Sequence, residues 1–161
     1  MQTQIQFKAI APFNVISEIE IHYKRAIHSL EESSRIFSSR QAHEAFIKCY
    51  DENKIGHKEF FLAMYLNNQN QILAVLQVSE GGINSTIADV RVVLQAALKL
   101  NATSFMISHN HPSGSCKPSE SDKLLTNKMQ AAAKALDINL LDHIIVTPNS
   151  SYFSFADDAL L

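Results

Sequence analysis

The stretch His57–Leu66, HKEFFLAMYL, constrains the fold of this chain more than any other. From Phe60 onward every residue is apolar, so a strand built from it has no side fit to face water. Such a run is too apolar for an edge strand and is placed centrally in a sheet. Asn67-Asn68-Gln69-Asn70 then turns the chain, and ILAVLQVS returns as its hairpin partner, ended by Gly81-Gly82.

The remaining pattern alternates strands with helices. Over residues 15–23, Val15, Ile19, Ile21 and Tyr23 share one face while Glu18, Glu20 and His22 share the other, as in a half-buried strand. From Ser39 the positions Ala42, Ala45, Phe46 and Cys49 follow helical spacing, with Ser38 or Ser39 as N-cap. A second helix is expected to start near Ser85 or Thr86, to bury Val90, Val93, Leu94, Ala97 and Leu98, and to stop near Asn101. TSFMIS (103–108) reads as a short buried strand, and a third helix runs to about Leu136. LLDHIIVT and SYFSF close the chain as strands around a Pro148-Asn149 turn. The fold class is α/β (α+β), a mixed β-sheet sandwiched by helices, in one domain over residues 1–161.

Composition narrows the function. The chain is 46% hydrophobic and 19% charged, which suits a packed core rather than a disordered segment. A formal net charge of -2 argues against an extended basic footprint for nucleic acid. The opening MQTQIQFKAIAPFNVISEIE lacks the basic start and apolar stretch of a secretory signal. No apolar run approaches the roughly 20 residues of a membrane span. Cys49 and Cys116 are able to pair, but two thiols make no disulfide framework. A soluble, cytoplasmic protein without a membrane partner is expected.

The chemistry concentrates in HNHPSGSCKPSESD, residues 109–122. His109 and His111 stand two apart at a strand's end, so their side chains project the same way. Pro112, Ser113 and Gly114 turn the chain, and Pro118 and Ser119 open the next helix with Asp122 in its first turn. Two imidazoles and one carboxylate make a three-ligand zinc set that leaves a fourth position for water. Iron or manganese would also suit it, calcium and magnesium less well. Taken singly, paired loop histidines are often merely exposed, and an Asp in a first helical turn often serves only the helix dipole. Asn110, between the two histidines, points away from the metal. His22, His28, His43 and His57 have no matching spacing and are read as surface residues. Cys116 sits between the ligands on a loop and is a weak further candidate.

The same fourteen residues resemble the metal-binding signature of the JAMM (JAB/MPN) metallopeptidases: H-x-H, seven residues, S, two residues, D. More narrowly they are similar to the RadC group, with likeness from about Ser17 to the C-terminus, including Asn101-Ala102, Leu141-Asp142-His143 and YFSF. The resemblance implies a JAB/MPN-like fold and a zinc-dependent hydrolase that cleaves a peptide, isopeptide or other amide bond. It assigns His109, His111 and Asp122 to the metal, Glu59 to the general base and Ser119 to the oxyanion of the tetrahedral intermediate. Glu59 also makes sense as a carboxylate at the end of an otherwise apolar strand, better placed than Glu44, Asp51, Glu52 or Glu80. For Ser119 an ordinary N-cap is the competing reading. Asp142 and His143 are expected either to support the ligands from behind or to be a strand-entry pair held by backbone hydrogen bonds. Where many RadC proteins carry Pro-Arg-Glu, this chain has Val90-Arg91-Val92.

The group's DNA-repair label suggests a nucleic-acid accessory role. Larger members carry a helix-hairpin-helix segment that needs glycines, whereas the first glycine here is Gly56, so that segment is expected to be absent and DNA binding disfavoured. A catalytically silent interaction module is the third reading, against which stands the presence of all five chemical positions. The sequence implies an amide-containing substrate and assigns no oligomeric state.

Overall fold

The computed structural model describes residues 35–81 and 88–161. The expected strand at 15–23, with His22 and His28, lies outside them. The elements in chain order are α1 (Ser39–Ile47), β1 (Phe60–Leu66), β2 (Ile72–Glu80), α2 (Val90–Lys99), β3 (Ser104–Asn110), α3 (Glu120–Lys134), β4 (Asn139–Val146) and β5 (Tyr152–Ser154). The strands form one sheet in the order β2-β1-β3-β4-β5. β1 is antiparallel to both β2 and β3, β3 and β4 are parallel, and β5 is antiparallel to β4.

The apolar run of β1 is interior to the sheet and buried throughout. Its odd positions Phe61, Ala63 and Tyr65 pack into a core shared with Val93 and Ala97 of α2 and with Met129 and Ala133 of α3. Its even positions Phe60, Leu62, Met64 and Leu66 pack with Ala42 and Phe46 of α1. A strand covered on both faces has no use for polar alternation, which is why the run lacks it.

β3 obeys the same alternation, and this positions the chemistry. Phe105 and Ile107 face the α2/α3 core, while Met106 faces α1. His109 continues the first set. Ser108 belongs to the second set, and its hydroxyl bonds the buried Tyr50 hydroxyl at 2.9 Å. Because β3 and β4 are parallel, the chain must cross back over the sheet between them, and α3 makes that crossing. A crossover helix starts where its strand ended, so the first turn of α3 returns to the end of β3.

Local signals explain the boundaries. Ser38 caps α1 by accepting from the Gln41 amide. In the β1–β2 turn the Asn67 side chain accepts from the amides of Gln69 and Gln71, and Asn70 takes a left-handed φ of 57°. α2 departs from expectation: it begins at Val90, not near Ser85 or Thr86, two residues that lie outside the described segment. Ala88 and Asp89 are not helical, and the Asp89 carboxylate accepts from the Arg91 amide as the N-cap. Leu98 is 53% exposed because it falls at the flank of the stripe centred on Val90, Val93, Leu94 and Ala97. α2 ends as expected, with Asn101 left-handed at φ 51°. Among the described residues no helix is long and apolar enough to cross a membrane.

Candidate metal centre

His109, the penultimate residue of β3, is 3% exposed. His111 lies one residue beyond the strand, and its amide donates to the Val146 carbonyl at 2.9 Å, which carries the parallel pairing past β3. The two Nε2 atoms are 2.9 Å apart. Asp122 brings Oδ1 to 3.3 Å from His109 Nε2 and Oδ2 to 3.8 Å from His111 Nε2. One ligand atom from each of the three residues lies within 4.8 Å of the other two, a group able to hold a metal ion.

Asp122 is fixed by the helix it stands on. Ser119 is the N-cap of α3: its hydroxyl oxygen accepts from the Asp122 amide at 3.2 Å, and the Asp122 carboxylate accepts from the Ser119 amide at 2.7 Å. This reciprocal capping box sets the carboxylate in the first turn. The Ser119 hydroxyl proton also goes to Asp122 Oδ2, at 2.6 Å. Burial raises the Asp122 carboxyl, but the neighbouring His109 and the two Ser119 bonds outweigh it and hold the group well below the usual carboxylate range. Asp122 is therefore an anion ready to ligate.

The fit to a metal follows from where the protons are. His111 Nδ1 lies 2.7 Å from the Ser115 carbonyl oxygen, which can only accept, so Nδ1 carries the proton and Nε2 is left bare. A bare Nε2 and a carboxylate aimed at the same spot are an excess of acceptors. A cation is what such a set lacks, and two imidazole nitrogens plus one carboxylate are borderline-soft donors of the kind that suits zinc.

Asn110 points away from the centre, as expected, and has a task of its own. Its side chain accepts from the Phe60 amide at 2.7 Å and donates to the carbonyls of Ile55 and Lys58, both at 2.7 Å. These three bonds staple the segment that enters β1 to the end of β3. Glu59 sits on that segment, half-buried, one residue before β1, with its carbonyl accepting from the Gly81 amide. Phe61 is paired with His109, so continuing the register places the Glu59 position opposite that of His111 on the same face.

Two expectations about histidines change. His43 is a buried residue, 8% exposed and stacked on Tyr152 at 4.6 Å, because it shares the inward face of α1 with Ala42 and Phe46. His143 lies in the middle of β4, not at its start, is fully buried, and puts Nε2 2.8 Å from His109 Nδ1. Its partner Asp142 instead accepts from the amides of His143 and Ala156 and from the Ser154 hydroxyl, a structural anchor on the other face. Thr126, absent from the sequence reading, bonds His143 Nδ1 at 2.6 Å. The only signal for it was its position four residues after Asp122, one turn up the same face. Cys49 and Cys116 are both free, and Cys116 is not part of the group of three.

Burial holds the His143 imidazolium well below the ordinary histidine range. The fold therefore favours neutral His143. Its contribution to stability is full above the unfolded value of about 6.5 and is lost as pH falls below it, because only the unfolded chain takes up the proton. Urea denaturation of metal-free protein should show stability falling with a slope approaching about 1.4 kcal/mol per pH unit below pH 6 from this group. In His143→Gln the slope should shrink by that amount, and an unchanged slope would contradict the assignment.

A mixed sheet flanked by helices, with a His-x-His strand end facing an Asp in the next helix, defines a JAB/MPN-like architecture. The sequence profile of the RadC-like JAB domain matches residues 36–160, and the chain belongs to that family. A UPF0758 protein of Flavobacterium johnsoniae is 35% identical over 97% of this chain and 68% of its own length. One from Pasteurella multocida is 31% identical over 99% of this chain and 72% of its own length. One from Streptococcus suis is 44% identical over 66% of this chain, and the match spans 44% of that relative.

Proposed function

We propose that this chain is a zinc-dependent hydrolase that cleaves a peptide, isopeptide or other amide bond in a cytoplasmic setting. The observation that carries the reading is the convergence of His109 Nε2, His111 Nε2 and an Asp122 carboxylate oxygen, with the His111 Nδ1 proton committed to a carbonyl. Zinc held at that point would supply a Lewis acid that lowers the pKa of water by many units, so that hydroxide would form far more readily at neutral pH.

The chain's residues then divide the work. Glu59 accepts the proton of the attacking water as its oxygen bonds to the amide carbon. As the C–N bond breaks, Glu59 returns that proton to the leaving nitrogen, giving a carboxylic acid and an amine. Ser119 turns its hydroxyl proton from Asp122 toward the oxyanion of the tetrahedral intermediate. Its capping duty and its catalytic duty are compatible, since the cap uses the oxygen as acceptor and the oxyanion uses the proton.

Zinc-loaded protein assayed against peptide, isopeptide and small-amide substrates should release amine, lose activity with a chelator and regain it with zinc. Ser119→Ala should retain the metal, lose about 10²–10³-fold in rate and lose about 1 kcal/mol of stability from the missing cap. Stoichiometric zinc without turnover on any substrate would instead favour an interaction module.

A further inference from the structure

Behind the ligands runs a chain of hydrogen bonds whose directions can be read from one end. The Thr126 hydroxyl has a single proton, and at 2.6 Å from the Asp122 carbonyl oxygen it donates there, because that oxygen can only accept. Toward His143 Nδ1, also at 2.6 Å, the hydroxyl is then left to accept, so Nδ1 of His143 carries its proton. His143 has no exposed surface and lies stacked on Phe155 at 4.6 Å with Phe61 tilted against it at 6.0 Å, surroundings that favour a neutral ring. Its Nε2 is consequently bare and receives a proton from His109 Nδ1 at 2.8 Å. What remains on His109 is a bare Nε2, aimed at His111 and Asp122.

We propose that Thr126 and His143 are positioning residues that set the tautomer of His109, so that its Nε2 is presented bare for metal capture. The chain of bonds starts on the main chain of Asp122 and ends at the ion site to which the Asp122 carboxylate contributes. It thereby ties one turn of α3 to β3 through β4 and fixes two ligands with one device. A metal-ligating histidine usually gives its second N–H to a carboxylate, carbonyl or water. A buried neutral histidine does this only if something upstream orients it, and Thr126 is that group. The inference rests on the metal reading of the site, but the bonds through Thr126 and His143 are made without an ion, so the tautomer is tested apart from metal binding.

The test therefore has two readouts. Long-range proton–nitrogen NMR of metal-free protein above neutral pH should show His109 and His143 both protonated at Nδ1. In Thr126→Val, which keeps the shape but removes both bonds, that pattern should become mixed for both rings. Zinc affinity, measured by competition with a chelator, should fall about 10- to 100-fold. Thr126→Ser, which keeps the hydroxyl, should restore the tautomers and most of the affinity. Protonation of wild-type His109 at Nε2, or wild-type zinc affinity in Thr126→Val, would overturn the proposal. If Thr126→Val does not fold, the wild-type tautomers and the Thr126→Ser affinity decide it. If wild-type protein shows the tautomers yet takes no zinc, the metal reading fails while the bond chain stands.

Discussion

On the proposed mechanism Glu59→Gln should keep its metal and lose about 10²–10⁴-fold in turnover. Glutamine matches glutamate in size but cannot accept the water's proton, so the change removes general-base chemistry and little else. The proposed ligands are elsewhere: His109 is the penultimate residue of β3, His111 lies just beyond it and Asp122 stands on α3. Other carboxylates near the entry to β1 are engaged. Glu80 pairs with Lys58 at 3.0 Å and Asp51 with Lys54 at 3.6 Å, while Glu44 pairs with Arg40 on α1. No relief of the defect from those groups is expected. Steady-state kinetics with parallel metal analysis checks this. A variant with full metal and activity within tenfold of wild type would remove Glu59 from the mechanism.

The second large effect falls on metal-dependent stability. A ligand that binds only the folded chain stabilises it by about 4 kcal/mol at a thousandfold excess over its Kd. Wild-type protein should gain on that order when zinc is added to the metal-free form, and His111→Ala should gain almost nothing. His111 is the informative ligand to remove because it belongs neither to the α3 capping box nor to the bonds through Thr126. Its loss in metal-free protein gives up one hydrogen bond to the Ser115 carbonyl, on the order of 1 kcal/mol. Chemical denaturation of both proteins, with and without zinc, separates the two contributions. An equal zinc-induced gain in His111→Ala would place the metal elsewhere.

The parts of this account legible in the sequence were those with a local periodicity. The unbroken apolar run of β1 needs cover on both faces, and it has it. The two-residue spacing of His109 and His111 put both on one side, and the turn and helix start after them brought Asp122 back. What was hidden depends on neighbours far apart in sequence. Nothing local shows that Thr126 of α3 meets His143 of β4, or that His143 reaches His109, 34 positions away. Asn110 looked like a spacer, yet it holds the Glu59 segment, because its partners arrive from residues 55–60. His43 failed for a different reason: its spacing to Phe46 was a helical signal, overlooked because histidine is so often a surface residue.

The central claim is that His109, His111 and Asp122 hold one metal ion. Elemental analysis of the purified chain after exposure to zinc, beside Asp122→Ala checked to be folded, tests it most directly. One zinc per chain in the wild type and none in the variant is the predicted result. A folded wild-type protein that carries no metal, or a variant that keeps a full equivalent, would contradict it.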